Sequence, residues 1–172
     1  VVDMWLRCLA DLIFPRKCEI CGRLLTGDER YICEDCMEDM PLTYYWDWPE
    51  NPAEKKLWVR THLHRVIPLF FYTRESRYIT LIHKIKYQGK AHLGHHMGVM
   101  LGEKLRGVLS DVDYVVPIPL HPIRRWRRGY NQAEIIAGGV TEALFGKEKA
   151  KLHLRSDILK RGRYTRTQTK RK

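Results

Sequence analysis

No apolar run in this chain of 172 residues approaches the ~20 residues needed to span a bilayer, so no transmembrane segment is expected. No targeting segment is expected either. Residues 1–14 carry Asp3, Arg7 and Asp11 within their apolar stretch, which suits a signal peptide poorly. They read instead as a short amphipathic helix built on Val2, Trp5, Leu6, Leu9, Leu12 and Ile13. There is no internal repeat and no low-complexity tract. Cysteine is almost confined to one place: of five, only Cys8 stands outside the segment Cys18–Cys36. That distribution disfavours a disulfide framework and favours a reducing compartment. A soluble, cytoplasmic protein is expected.

The hydrophobic fraction, 44%, is ordinary for a globular chain and too high for a disordered one. The length suits one domain with a small appendage. The formal net charge of +11 favours polyanionic partners: nucleic acid, phosphorylated small molecules or an acidic membrane surface. A solvated basic surface without a specific partner has the same composition.

Cys18-Glu19-Ile20-Cys21 and Cys33-Glu34-Asp35-Cys36 form two C-x-x-C knuckles separated by eleven residues. Each presents two thiolates on one side of a tight turn, and Gly22 stands where the first turn needs it. Two knuckles complete a tetrahedron with Zn–S distances of ~2.3 Å, and four protein ligands make such a zinc structural. Buried thiols, a redox pair or an iron–sulfur cluster are the other uses of four cysteines. Cys8 reads as a helix-core residue. His92 and His96 lie one helical turn apart but lack acidic partners at ligand spacing, so they read as surface histidines with His62, His64, His83 and His95.

Residues 41–60 hold Pro41, Pro49 and Pro52 with Trp46 and Trp48, and read as a linker packed by its aromatics. Beyond it, His64–Tyr72 is a strand candidate, with Pro68 pointing to an edge or bulge. Glu75–Tyr87 has a helical face closed by Gly89, and Ala91–Val108 carries a helical stripe from Leu93 to Val108. Val112–Leu120 has the nearly continuous apolar character of a buried parallel strand. Asn131–Phe145 is a helix with Asn131 as its cap and Glu134 three residues on. Its Gly138-Gly139 pair suggests close packing against a sheet. Leu152–Leu154 and Ile158–Leu159 are short strand candidates, and residues 160–172 hold little apolar content. The alternation predicts an α/β domain with a mainly parallel sheet.

Between Val115 and Gln132 a strand ends in prolines, followed by an arginine-rich loop and a helix start. Helix N-termini and arginine forks favour anions at such a place. An exposed basic loop is the plainer reading. Among the tryptophans Trp46, Trp48, Trp58 and Trp126, the last lies among arginines and is the best placed to stack on a base.

In order along the chain come the paired knuckles, Ile85-Lys86-Tyr87-Gln88-Gly89, Val116-Pro117-Ile118-Pro119-Leu120-His121, Arg128-Gly129-Tyr130-Asn131-Gln132-Ala133, and Tyr164-Thr165 followed by Thr167-Gln168-Thr169. Together they resemble the ComF family. The resemblance implies a zinc ribbon (residues 1–40), a linker (41–60) and an incomplete type I phosphoribosyltransferase-like parallel-sheet domain (61–172). It implies a role in DNA uptake during natural competence, single-stranded DNA as a partner, and competence helicase or channel proteins as further partners. It also implies a phosphate site at Arg124, Arg128, Gly129, Asn131 and Gln132, with Lys84 and Lys86 as phosphate or DNA contacts. The family's acidic pair and Thr-Thr-Gly-x-Thr turn are missing. With a start at Val1 rather than Met, the chain reads as truncated, and magnesium and phosphoribosyl pyrophosphate are expected only in a full-length parent. Catalysis by this chain alone is not expected. A phosphoribosyltransferase enzyme in the full-length parent is the second function class, and a zinc-ribbon interaction module the third.

Overall fold

The computed structural model describes residues 15–109 and 111–164. The expected helix over residues 1–14, Cys8 and the end from Thr165 to Lys172 lie outside them. The chain forms two compact units, Val1–His83 and Lys84–Lys172. Among the described residues the regular structure is helical: α1 (Glu34–Glu38), α2 (Pro52–Trp58), α3 (Ile79–Tyr87), α4 (Ala91–Leu105), α5 (Pro122–Arg128), α6 (Gln132–Phe145) and α7 (Ala150–His153).

The first unit contains a capped helix where the sequence suggested a linker. The Asn51 side chain accepts from the N–H groups of Ala53 (3.0 Å) and Glu54 (3.1 Å), and Pro52 occupies the first helical turn. Glu54 Oε2 accepts in return from the Asn51 N–H at 3.2 Å, closing a capping box. Glu54 is fully buried, and its Oε1 accepts from Arg65 Nε (2.9 Å) and Val66 N–H (3.1 Å). Arg65 also donates to the carbonyls of Tyr45 and Trp46, at 2.9 and 3.1 Å. No buried side-chain polar atom of this knot lacks a partner, as burial demands. The aromatics pack over it: Tyr45 meets Trp48 and Phe71 edge-on, at centroid distances of 5.6 and 5.7 Å. The strand expected over His64–Tyr72 reduces to one antiparallel bridge, Leu42 with Phe70. Pro68 has no N–H to give a longer ladder; its carbonyl instead accepts from Thr43 Oγ1.

In the second unit, α4 and α6 pack directly on each other through glycine. Gly94, Gly98 and Gly102 recur every fourth residue and so share one face of α4. A Cβ on Gly98 would overlap the Ile136 carbonyl, and one on Gly139 would overlap the His95 carbonyl. A Cβ on Gly102 would lie 2.6 Å from that of Ala143. Leu93, Met97 and Leu105 from α4, with Ala137, Val140 and Ala143 from α6, are buried.

This overturns the expected α/β class, including the phosphoribosyltransferase-like parallel sheet. There is no sheet among the described residues. Val112–Leu120 makes a single parallel bridge, Val115 with Leu154, supported by Val115 N–H to the His153 carbonyl (2.9 Å) and Arg155 N–H to the Val115 carbonyl (3.1 Å). Pro117 and Pro119 cannot donate to a ladder, and Ile118 is 70% exposed rather than buried. Leu152 and His153 belong to α7, and Ile158–Leu159 forms no strand. Of the Gly138-Gly139 pair, Gly139 serves helix-on-helix contact instead of helix-on-sheet contact, whereas Gly138 has room for a Cβ. Strong apolar runs define a strand only when a neighbour supplies the matching N–H and C=O groups, and the described residues supply one bridge.

Two measurements test these contacts. Gly98→Ala should destabilise the second unit by about 2 kcal/mol or more, because the added methyl meets backbone rather than a flexible side chain. Gly138→Ala, whose methyl would lie 3.8 Å from the nearest neighbouring atom, should be neutral or stabilising by up to about 1 kcal/mol. Urea unfolding followed by helical circular dichroism separates them; equal effects would disprove the close crossing. In the first unit, burial raises the Glu54 carboxyl pKa, but the N–H groups of Val66 and Asn51 and the Arg65 guanidinium outweigh it and hold the group below its ordinary value of 4.5. A depressed pKa stabilises the fold above that value, and the stabilisation fades as pH falls through the lowered one. Wild type should therefore exceed Glu54→Gln in thermal stability at neutral pH, with the gap closing in acid.

Candidate metal centre

The first knuckle is a tight hairpin. Lys17 bridges Leu24 antiparallel, Cys18 N–H donates to the Arg23 carbonyl (2.7 Å), and Leu25 N–H donates to the Arg16 carbonyl (2.8 Å). Gly22 N–H closes the turn onto the Cys18 carbonyl at 3.0 Å, with the glycine at φ +77°, a conformation that side chains strain. The second knuckle begins at Cys33, the N-cap of α1, and places Cys36 in the body of that helix. Glu19 N–H donates to the Tyr31 carbonyl at 2.8 Å and joins the two.

The four sulfur atoms lie within 4.8 Å of one another, and Cys21 Sγ is 3.6 Å from Cys33 Sγ. A tetrahedron of thiolates about zinc has an edge of about 3.8 Å, so the set fits the ion with small adjustments. Cys18, Cys33 and Cys36 are buried; Cys21 is exposed. Cys18 Sγ accepts the N–H groups of Ile20 and Cys33, each at 3.4 Å. Burial pushes the Cys18 thiol up, but these hydrogen bonds and those from Cys21 outweigh it and bring the pKa to about 6. Burial pushes Cys33 and Cys36 up, and their neighbouring sulfurs add to the rise. Thiols this close resist ionising together, and a dication at their centre removes that resistance. When bound, zinc would be held by Cys18, Cys21, Cys33 and Cys36 and would cross-link the two knuckles. Four protein ligands leave no position for a substrate.

A second layer holds the ligands, and the sequence reading missed it. Glu29 sits in the eleven-residue spacer and accepts from Thr26 N–H (2.7 Å), Glu34 N–H (2.8 Å) and Arg23 (2.9 Å). The two backbone N–H groups hold its carboxyl below the ordinary range. Arg23 also pairs with Asp35 at 2.8 Å. One carboxylate thus ties the spacer to the start of the second knuckle. Buried Tyr78 donates its hydroxyl to the Cys36 carbonyl at 3.0 Å. Spacing alone reveals ligands, whereas these supports come from contacts made after folding.

The arginine segment is helical, not a loop. His121 Nδ1 accepts from the Ile123 N–H at 3.3 Å, and Gly129 ends α5 in the left-handed region at φ +82°. Arg128 donates to Gln132 Oε1 at 3.0 Å and lies over the Tyr87 ring at 5.4 Å. Arg124 lies over Tyr164 at 5.4 Å, and Arg125 pairs with Glu134 at 3.4 Å. Asn131 is buried: it caps α6 and donates to the Ile118 carbonyl at 3.1 Å. Gln132 Nε2 is buried without a hydrogen-bond partner. Arg128, Gly129, Asn131 and Gln132 are thus brought together at the α5–α6 junction. Lys84 is half-buried and Lys86 exposed, both in the last turn of α3. Arg127 and Trp126 are exposed, the tryptophan at 85%. Among the described residues the four cysteines are the one group of three or more metal-ligating side chains brought together, and no helix is long and apolar enough to cross a membrane.

Glu29→Ala should weaken zinc affinity ~10–100-fold, the usual cost of losing a support to a ligand set. Competition against a chromogenic chelator measures it, and an unchanged affinity would remove Glu29 from this role. A family model described as a double zinc ribbon domain matches residues 9–45. No curated protein and no solved structure matches the chain. The matched segment contains all four clustered cysteines and no histidine, which is a ligand set for one ion. The N-terminal part of the chain is a zinc ribbon, with its cysteines positioned to bind that metal.

Proposed function

We propose that the chain is a nucleic-acid-handling protein of ComF type, in which the zinc ribbon is a structural head and the second unit binds single-stranded DNA. The observation that carries this reading is the segregation of charge. Val1–His83 holds 11 basic and 13 acidic residues, net −2, whereas Lys84–Lys172 holds 20 basic and 7 acidic, net +13. The whole basic surplus therefore belongs to the unit without the metal centre. Basic side chains bind a phosphate backbone by releasing counterions, which suits any sequence. Trp126 adds a stacking surface that every base can use, flanked in sequence by Arg125 and Arg127. Protein-packed tryptophans do not qualify: Trp46 is 5% exposed.

The place of such binding in DNA uptake, and helicase or channel partners, rest on the resemblance in the ordered motifs. A net-negative ribbon is a poor polyanion reader and a better protein-docking head, which favours the interaction-module role for that unit alone.

Fluorescence anisotropy of a labelled oligo-dT across a salt series tests the reading. Binding should fall steeply with salt. Trp126→Ala should weaken it about 5–100-fold, from a stacking loss of ~1–3 kcal/mol. Arg127→Ala should lower the salt slope by about 0.7. No binding at low salt would sink the proposal.

A further inference from the structure

Three cysteines of the metal centre are buried and one is not. Cys18 is 2% exposed, Cys33 0% and Cys36 1%, whereas Cys21 is exposed. Cys21 directly precedes Gly22, and both lie on the open side of the first hairpin turn. A reagent from solvent therefore reaches one ligand. Its sulfur lies 3.6 Å from that of Cys33, which belongs to the other knuckle. Cys18 Sγ is engaged by two backbone N–H groups at 3.4 Å.

We propose that Cys21 is an oxidation site for hydroperoxides, and that its oxidation links it to Cys33 and ejects the metal. The Cys21 thiolate attacks one peroxide oxygen; the O–O bond breaks, a sulfenic acid forms and hydroxide leaves. The Cys33 thiolate then attacks the Cys21 sulfur and expels a second hydroxide, forming the disulfide. Two sulfurs each lose one electron, hydrogen peroxide gains two, and both hydroxides take protons from solvent to become water. The ion is left with two thiolates of four and dissociates. A dithiol reductant reverses the change by exchange, regenerating both thiolates for metal. Because the disulfide joins the two knuckles, it replaces the metal's cross-link with a covalent one. Oxidation within either C-x-x-C pair would leave the knuckles unjoined.

The test uses the zinc-loaded full chain with Cys8→Ala, which removes the one cysteine outside the cluster. Hydrogen peroxide is added in equimolar amount under anaerobic conditions. Zinc release is followed with a chromogenic chelator, and disulfides are mapped by mass spectrometry of unreduced peptides. The expected result is about one zinc released per peroxide consumed, a Cys21–Cys33 link, and recovery of zinc binding after dithiothreitol. Brief peroxide with a sulfenic-acid trap should label Cys21 before the other three. Retention of zinc, first labelling of a different cysteine, or a disulfide confined to one knuckle would each overturn the proposal.

Discussion

Four sulfur atoms drawn within 4.8 Å of one another set the terms for the first unit. Close thiols repel once ionised, so the arrangement holds best around a dication. The unit has little else of that strength: its helices α1 and α2 are short, and its β pairing is limited to isolated bridges among the described residues. Small units with modest apolar cores commonly need a staple. The supports run outward from the sulfurs. Glu29 fixes the spacer, Tyr78 reaches the Cys36 carbonyl, and the Asn51–Glu54–Arg65 knot holds the aromatic segment.

The second unit depends on a different constraint, the distance between two helix axes. Glycine at positions 98, 102 and 139 lets the α4 and α6 backbones approach until backbone atoms stand where Cβ atoms would be. That contact costs helix propensity at each glycine, and dispersion between the close-packed backbones offsets it. The α5–α6 junction then rests on Asn131 and on Arg128 over Tyr87. The two units also differ in charge: the four-cysteine cluster lies in a net-negative unit, and the exposed arginine and tryptophan surface of α5 lies in a strongly basic one.

Several features were legible in order along the chain. The four cysteines announce their own site, and α3, α4 and α6 follow from apolar spacing and the Asn131 cap. The helix α2 was legible too, since Asn51-Pro52 followed by Glu54 is a cap, a first-turn proline and a capping-box partner; proline punctuation and tryptophans hid it behind the look of a linker. Val112–Leu120 failed for the opposite reason. Its apolar run satisfies the pattern of a buried strand, but a strand is a relation between segments, and among the described residues only Leu154 answers it. The glycine pair at 138 and 139 gave the right physics, close approach, at Gly139 alone, and the wrong neighbour.

The sequence by itself determined the four-cysteine cluster, the three longest helices and the charge of each half, because these depend on spacing and composition within a few residues. Only the tertiary structure decided that helix meets helix through glycine, that Glu29 and Tyr78 hold the ligands, and that Cys21 alone among the four cysteines is exposed. Those are properties of surfaces brought together from distant positions, and no local pattern carries them.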